Sequence, residues 1–350
     1  MQARVPRNDD YLERMRTKST KPKNSIEEVA KLAGVSITTV SRVINKLPTV
    51  TEENRRKVED AVRKLRFSPS PFAQALAKGK TSGIGLVIPR YEGLFYSFYA
   101  LELIRGIGTL CDVFKMDLLL HLSDGRSNFN AKSVAGVIFA DIITNRSQLE
   151  WALRENIPCV VINNYVSDLE VSSISIDNVQ GAKEAVKYLI GLGHKKIAHI
   201  TGDLISQAAN QRLEGYKLGI QEAKIKENPD YIIKTDYSRG QARVATEKLL
   251  NLSEPPTAIF VASDSMALET VTVIMEKGKK VPGDISIIGF DDNPTSLYGH
   301  VALTTVRQPL IRMGEEAVKE LNSLIKGKKD ITRMVLPTEL VVRESCKAIS

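Results

Sequence analysis

Short apolar runs alternate with amphipathic stretches along residues 83–350. A run of four or five apolar residues predicts a buried strand, whereas apolar residues three and four positions apart predict a helix. The predicted strands are Ile84–Ile88, Leu118–His121, Gly136–Phe139, Cys159–Ile162, Ser173–Ile176, Lys196–Ile200, Ala258–Val261 and Ile285–Ile288. The predicted helices include Gln180–Leu192, Gln211–Glu222, Gly240–Leu250, Ser265–Lys277 and Leu310–Ile325. Strands that alternate with helices form parallel sheets covered on both faces, and a segment of this length suits two lobes.

Residues 24–67 follow a different pattern, which predicts three short helices. Ser36 can cap the second helix and Thr51 the third, because short polar side chains accept hydrogen bonds from a free helix N-terminus. Gly34 can end the first helix in a left-handed conformation. Two short helices joined by a glycine turn and braced by a third form a helix-turn-helix domain, whose second helix enters the major groove of DNA.

The second helix of this domain has a buried stripe and a polar face. Val40, Val43 and Ile44 form the stripe. The outward or edge positions are Ile37, Thr38, Thr39, Ser41, Arg42 and Asn45. An arginine can bond O6 and N7 of guanine together, while threonine and serine contact bases or phosphates. The face favours DNA binding; the alternative is a small helical bundle whose polar face is incidental.

Charge is distributed unevenly along the chain. The net charge is +8, from 49 Lys and Arg against 41 Asp and Glu, yet residues 1–80 alone hold 18 basic and 9 acidic side chains. A basic N-terminal segment, here called the head, precedes a body of nearly zero net charge, residues 81–350. This distribution indicates a module that binds a polyanion, joined to a module with another function. Residues 1–23 are polar and weakly patterned, so we expect a basic flexible extension there.

The remaining composition excludes several classes of protein. No apolar run reaches the ~18 residues of a membrane span, and residues 1–23 lack the apolar segment of a secretory signal. The three cysteines fit neither a disulfide framework nor a zinc site, so a reduced, cytoplasmic protein is expected. The four histidines are widely spaced, and we find no metal site, cofactor fingerprint or catalytic constellation. The chain is therefore not predicted to be an enzyme.

The chain resembles the LacI/GalR family of transcriptional regulators from residue 25 to about residue 346. The resemblance begins with the highly specific run VAKLAGVSITTVSRVIN and continues through GHKKIAHITGD, NQRLEGY, TAIFVASDSMAL, VPGDISIIGFDD, LTTVRQPLIRMGEEAV and LPTELVVRES. It implies an all-α three-helix helix-turn-helix domain with a hinge helix, joined to an α/β domain of two lobes similar to type I periplasmic sugar-binding proteins. The ligand of such a fold lies in the cleft, beyond the carboxyl ends of the strands.

The resemblance also implies the limits of each part. The parts are the extension at 1–23, the helix-turn-helix domain at 24–67, the hinge helix and linker at 68–82, and the domain for effector binding and dimerisation at 83–346. Within that last domain, lobe 1 is expected at about 83–162 plus 293–323, and lobe 2 at about 163–292 plus 324–346.

Three departures from the family stand out. The extension precedes a domain that the family places first in the chain. The segment 90–105 is longer than the usual first loop and helix. The segment 123–133 is too short for the helix that relatives have there, and this weakens one outer face of the first lobe.

The DNA contacts follow from the resemblance by matching position. Ile37, Thr38 and Arg42 are implied to read bases, and Ile37 suits the methyl group of thymine. The residues implied to serve phosphates or the edge of the site are Ser36, Thr39, Ser41 and Asn45. In the hinge, Leu76 matches the leucine that wedges open the central base step in the minor groove, and Ala73 matches the residue facing the partner hinge.

Polar side chains follow several of the predicted strands, where a cleft ligand would lie. By matching to the family, the effector residues are Arg212 and Asp291 first, then Asn163, Ser263 and Tyr237, with Phe95 and Tyr96 lining the cleft from the first lobe. Asp264 and Asp292 are read instead as structural caps. Carboxylate, amide and guanidinium groups beside an aromatic ring suit the hydroxyls and the apolar face of a sugar.

Together these observations predict a ligand-controlled transcriptional regulator, a repressor that binds a pseudo-palindromic DNA operator as a homodimer. The expected effector is a sugar; a purine or a phosphorylated metabolite is the alternative. A sugar-binding transport component fits the body alone but not the basic head. An enzyme acting on carbohydrate would need a catalytic pair that the sequence does not offer.

Overall fold

The computed structural model describes residues 25–44, 47–65, 67, 83–90, 94–130 and 133–349. Three residues expected to contact DNA, Asn45, Ala73 and Leu76, lie outside these ranges, as does the N-terminal extension. The chain divides into two compact units, Met1–Lys80 and Thr81–Ser350. The boundary between the units falls in the segment predicted as hinge and linker.

The first unit contains three helices, α1 (Ile26–Ala33), α2 (Ile37–Ile44) and α3 (Glu52–Leu65). A capping box between Ser25 and Glu28 begins α1, and Gly34 ends it with a φ of 66°. The core of the unit takes one valine from each helix, Val29, Val40 and Val58, all with no exposed area. The predicted three-helix domain is confirmed.

The second unit is built on two six-stranded sheets. Its strands are β1 (Gly83–Pro89), β2 (Asp117–Ser123), β3 (Gly136–Phe139), β4 (Cys159–Ile162), β5 (Ser172–Ile176), β6 (Ile197–Ile200), β7 (Ile232–Ile233), β8 (Ala258–Val261), β9 (Ser286–Asp291), β10 (Thr304–Arg307), β11 (Arg333–Leu336) and β12 (Glu339–Val341). The first sheet has the order β11-β5-β4-β3-β1-β2 and the second β12-β10-β9-β8-β6-β7. Neighbouring strands are parallel except β10 and β12.

Helices alternate with these strands, as the sequence pattern predicts. They are α4 (Phe98–Phe114), α5 (Arg146–Arg154), α6 (Asn178–Gly191), α7 (Gln207–Glu222), α8 (Arg239–Leu250), α9 (Asp264–Glu276) and α10 (Leu310–Ile325). In the first lobe α4 packs closely on α10, where a side chain on Gly106 would collide with the carbonyl oxygen of Ile311. Glycine at this position lets the two helix backbones approach.

In the structure, each crossing of the chain between the two lobes occurs later in the sequence than predicted. β5 and β11 pair with each other in the first sheet, although the predicted limits place both in lobe 2. β10 belongs to the second sheet, although those limits place it in lobe 1. The predicted limits fail here because strands that pair across such a separation carry no local signal of the sheet they join.

The short segment after β2 covers the first lobe without a helix. Among the described residues 124–130 no helix forms, and Phe129, only 9% exposed, packs edge-on against Phe139 and Trp151 with centroid distances of 6.3 and 5.2 Å. The carboxamide oxygen of Gln148 accepts from the Ser123 hydroxyl at 2.6 Å, and its nitrogen donates to the Ser127 carbonyl. Phe129 thus buries apolar surface on this face of the first lobe without a helix, and the expected weakening of the face remains a prediction.

Replacement of Phe129 with alanine should destabilise the first lobe, because it leaves an unfilled space over Phe139 and Trp151. We expect a loss of about 3 kcal/mol and a melting midpoint lower by several degrees. Phe95→Ala is the matched control, because that side chain is 59% exposed. Equal midpoints for the two variants would show that the segment does not cover the lobe.

Candidate functional site

The first candidate surface is the exposed face of α2. Ile37 is 48% exposed, and Thr38 and Arg42 are exposed beside it, whereas Val40 and Val43 are buried on the opposite side. The structure therefore brings the three predicted base-reading residues onto one face. An arginine can reach a guanine edge, and an isoleucine can contact a thymine methyl group.

Capping orders the start of α2. The Ser36 hydroxyl accepts from the Thr39 amide at 3.1 Å and lies 2.9 Å from the Thr39 hydroxyl. The remaining amides of the first turn are a natural site for a phosphate, since the helix N-terminus carries partial positive charge. Ser41 is half-buried at the edge of the face. The predicted phosphate contacts of these residues remain a prediction.

The second candidate site lies at the carboxyl ends of the strands in the second unit. Arg212, on α7, is 4% exposed and is held by three groups. Its Nε donates to Asn178 Oδ1 at 2.9 Å, its Nη1 donates to the Ala262 carbonyl at 2.6 Å, and its guanidinium lies 3.7 Å from the centroid of the Phe290 ring. The guanidinium is therefore fixed in position before any ligand arrives.

Asp291 ends β9 beside this guanidinium. Burial raises the pKa of the Asp291 carboxyl to about 6, against the opposing influence of Arg212. Gln308 donates from Nε2 to Asp291 Oδ1 at 2.6 Å. The backbone of Asp291 has a φ of 127°, a region that L-residues rarely adopt. Strain of this kind persists only when surrounding contacts impose it, and it collects at binding sites.

Tyr237 lies in the same group of side chains. Its ring packs against Gly202, where any side chain would collide with the ring. Burial raises the pKa of the Tyr237 hydroxyl, and Arg212 lowers it while Asp291 raises it further. The structure therefore brings three of the predicted effector residues, Arg212, Tyr237 and Asp291, close together.

The other predicted effector residues are less closely involved. Ser263 caps α9, with its hydroxyl 3.4 Å from the Met266 amide. Asn163 has a φ of 66°, and its Oδ1 is buried without a hydrogen-bond partner among the described residues. Phe95 and Tyr96 are 59% and 92% exposed, and no ring contact or hydrogen bond joins them to the second lobe in the described part of the chain. The roles of these residues remain predictions.

Asp264 holds the strained turn that carries Asp291. Its side chain has no exposed area; Oδ1 accepts from the Thr305 hydroxyl at 2.6 Å and Oδ2 from the Asn293 amide at 2.7 Å. A side chain on Gly289 would collide with Asp264 Oδ1. Asp264 is thus more than the helix cap that its position suggests: it ties α9 to the β9–β10 turn. Asp292, read as a cap, instead pairs with Arg307 and Arg343.

Sequence reasoning missed two polar residues of the cleft region, Asp141 and Gln308. Asp141 follows β3, and burial raises the pKa of its carboxyl to about 6. A polar residue two positions after the end of the predicted strand Gly136–Phe139 was the available signal for Asp141. Gln308 follows β10, which the apolar pattern did not single out, so no comparable signal was present.

A direct contact joins the two lobes across the cleft. The Gln207 side chain, at the start of α7, accepts from the Tyr165 amide at 2.6 Å and donates to the Tyr165 carbonyl at 3.1 Å. Tyr165 lies in the loop after β4 of the first sheet. A single carboxamide thereby satisfies both backbone groups of one residue in the opposite lobe.

Comparisons with known proteins agree with this architecture. Residues 25–70 match the family described as bacterial regulatory proteins, lacI family, and residues 186–346 match a periplasmic binding protein-like domain. Catabolite control protein A of Priestia megaterium is 34% identical over 335 residues, which cover 92% of this chain and 99% of that protein. The HTH-type transcriptional repressor PurR of Vibrio atlanticus is 34% identical over 336 residues, covering 93% and 99%.

Solved structures show the same fold. The lac repressor dimer bound to operator and the anti-inducer ONPF has a TM-score of 0.74 at 28% identity, covering 93% of this chain and 99% of that one. A transcriptional regulator CelR–cellobiose complex has a TM-score of 0.71 at 28% identity, covering 92% and 99%. No described helix is long and apolar enough to cross a membrane.

Substitution of Asp291 with asparagine should stabilise the fold at neutral pH. Because the folded pKa of about 6 exceeds the ordinary value of 3.8, this carboxyl contributes stability below pH 4 that is lost as the pH rises through 6. The variant escapes that loss, so its advantage over the parent should grow from near zero at pH 4 to about 1–3 kcal/mol at pH 7.5. Unfolding midpoints across that range test this; a pH-independent difference would contradict it.

Proposed function

The chain belongs to the LacI family of bacterial regulatory proteins, and from that membership we propose a division of labour between its two units. It is a DNA-binding transcriptional regulator, and its relatives of this family are regulators rather than enzymes. The first unit reads the operator with α2, and the second binds a small effector in its cleft. Its place of action is the cytoplasm, where the DNA is.

The exposed face of α2 is the main observation in support of DNA binding by the first unit. Ile37, Thr38 and Arg42 project from a helix whose start is capped and whose other side is packed in a core. Such a helix can present fixed side chains to base edges in the major groove. A homodimer then places two copies of α2 on the two halves of a pseudo-palindromic operator. The lac repressor structure similar to this chain is a dimer bound to operator.

A sugar is the effector that the cleft supports best. Arg212 and Asp291 offer a guanidinium and a carboxylate, and Tyr237 places an aromatic ring beside them. This set provides hydrogen bonds to adjacent hydroxyls and an apolar surface for a sugar ring. Among the similar structures, the CelR regulator is in complex with cellobiose. A purine is the second candidate, because the Tyr237 ring can also stack on a flat heterocycle.

Binding of the effector and binding of the operator are coupled, and the coupling regulates repression. A ligand that changes the affinity for DNA by a given factor must have its own affinity changed by the same factor. Coupling of this kind commonly amounts to about 1–3 kcal/mol, or roughly 5- to 150-fold. The contact between Gln207 and Tyr165 is one that lobe opening would break.

Replacement of Arg42 with alanine should relax sequence selectivity. With a duplex selected from a random pool by the full-length protein, we expect affinity for the selected sequence to fall by about 1–3 kcal/mol relative to a scrambled duplex. Arg63→Ala, which removes an exposed arginine of α3 paired with Asp60, is the matched control. Equal loss on both duplexes for Arg42→Ala would overturn its assignment as a base reader.

Thermal stability in the presence of sugars and nucleobases tests the effector part. A ligand at 100 times its dissociation constant adds ~2.7 kcal/mol of stability, which raises the melting midpoint by several degrees. Arg212→Lys keeps the positive charge but loses the planar fork, so it should reduce the shift given by an active ligand. A shift produced by nucleobases alone would select the purine. A panel with no shift would contradict both candidates.

A further inference from the structure

A single carboxamide bridges the two lobes. The side-chain oxygen of Gln207 accepts from the Tyr165 amide at 2.6 Å, and its nitrogen donates to the Tyr165 carbonyl at 3.1 Å. Tyr165 lies in the loop after β4 of the first sheet, whereas Gln207 begins α7, which follows β6 of the second sheet. Two directional bonds to one residue fix both distance and orientation, so they form together in only one arrangement of the lobes.

The first-lobe side of this contact is anchored on its own lobe. Asn164 Oδ1 accepts from the Ile142 amide at 3.2 Å, and Val166 is 4% exposed in the apolar core of the first lobe. The Arg333 guanidinium, on β11, lies 5.3 Å from the centroid of the Tyr165 ring. These contacts tie the loop to the first sheet, so the Tyr165 backbone moves with the first lobe.

The second-lobe side is anchored in the same way. The Ser206 hydroxyl caps α7: it accepts from the Ala209 amide at 3.2 Å and donates to the Asp203 carbonyl at 2.8 Å. Gln207 is the first residue of the helix, so its backbone moves with α7. Because both partners are held on their own lobes, a small change in the angle between the lobes breaks the contact instead of dragging either side along.

Helix α7 also joins this contact to the cleft and to a crossing of the chain. Arg212 lies further along the helix, and its Nε donates to Asn178 Oδ1 at 2.9 Å. Asn178 Nδ2 donates to Gln211 Oε1, also on α7, at 3.1 Å. Asn178 begins α6, directly after the chain leaves β5 for the second lobe. One helix therefore contacts the first lobe, the proposed effector site and a crossing.

The crossings pack together at the start of α6. The Asp177 amide donates to the Leu336 carbonyl at 3.2 Å, which joins the first crossing to the third. A side chain on Gly181 would lie 2.6 Å from the Thr338 hydroxyl and 3.2 Å from Val306 of β10. Because the crossings are the covalent links between the lobes, a change in the angle between the lobes must occur at this packed joint, which α7 touches through Asn178.

We propose that the Gln207 carboxamide is a clasp that stabilises one orientation of the lobes, and that this clasp sets operator affinity from outside the group of effector residues. The inference rests on the proposed coupling between the cleft and operator binding. The clasp consists of protein groups alone, so its effect on the lobe equilibrium does not require the effector. Two hydrogen bonds can shift an equilibrium of this kind roughly tenfold. A merely structural contact would change the stability of the fold and leave operator affinity as it was.

Replacement of Gln207 with alanine removes the clasp and leaves the helix, because the Gln207 side chain is half-exposed and Ser206 still caps α7. Gln221→Ala is the matched control, since Gln221 is exposed near the end of the same helix. Hydrogen–deuterium exchange of the full-length protein should become about tenfold faster in segment 163–168 of Gln207→Ala and stay at the parental rate in Gln221→Ala. Parental exchange in both variants would overturn the clasp.

Operator affinity then tests the regulatory role of the clasp. With the duplex selected from a random pool by the full-length protein, Gln207→Ala should change affinity by about fivefold or more, and affinity for a scrambled duplex should stay unchanged. Gln221→Ala should leave both affinities at the parental values. Faster exchange at 163–168 with parental operator affinity would refute the proposal. Failure of every sugar and nucleobase to bind would overturn the proposed effectors and leave this test intact, because it uses DNA alone.

Discussion

The direction of the strands is the constraint on which the second unit depends. In both sheets all pairs but one are parallel, so the turns at the carboxyl ends of the strands collect at one edge of each sheet. The chain crosses from the first sheet to the second after β5, returns after β10 and crosses again after β11. Those crossings join the two lobes, so turns that follow strands of both sheets, far apart in sequence, border the proposed effector cleft.

The cleft residues are held in place at a cost in stability. Asp291 adopts a backbone conformation that is unfavourable for an L-residue, and its carboxyl loses solvation on burial. Asp264 stabilises that turn, because its two oxygens accept hydrogen bonds from the Thr305 hydroxyl and the Asn293 amide. A preorganised site of this kind loses little entropy when a ligand arrives, which is a physical reason to retain a turn that weakens the fold.

Much of the fold could be predicted from the sequence because its strands are short, apolar and bounded. Gly136–Phe139, Cys159–Ile162 and Ala258–Val261 have the predicted limits, and each is a fully buried run. The sheet that β5, β10 and β11 would join was not predictable, since pairing across the chain has no local signature. The burial of Phe129 could not be predicted, because it depends on contacts with Phe139 and Trp151 that are distant in sequence.

The site was predicted in part, and the reasons differ by residue. Arg212, Tyr237 and Asp291 come together because each follows a strand or lies in the first two turns of a helix at the same edge, and the family resemblance marked them. Asp264 looked like a cap from its place at the start of α9, and only the fold shows that it reaches β10. Asp141 follows β3 in the same way, yet the resemblance did not mark it.

The central claim is that one chain couples operator recognition by α2 to the state of the cleft. Hydrogen–deuterium exchange on the full-length protein, with and without a selected operator duplex, tests this without knowledge of the effector. The account predicts protection in residues 37–44 together with altered exchange in the cleft segments 141–145, 163–166 and 289–293. Protection confined to residues before 81, with unchanged exchange in the cleft segments, would contradict it.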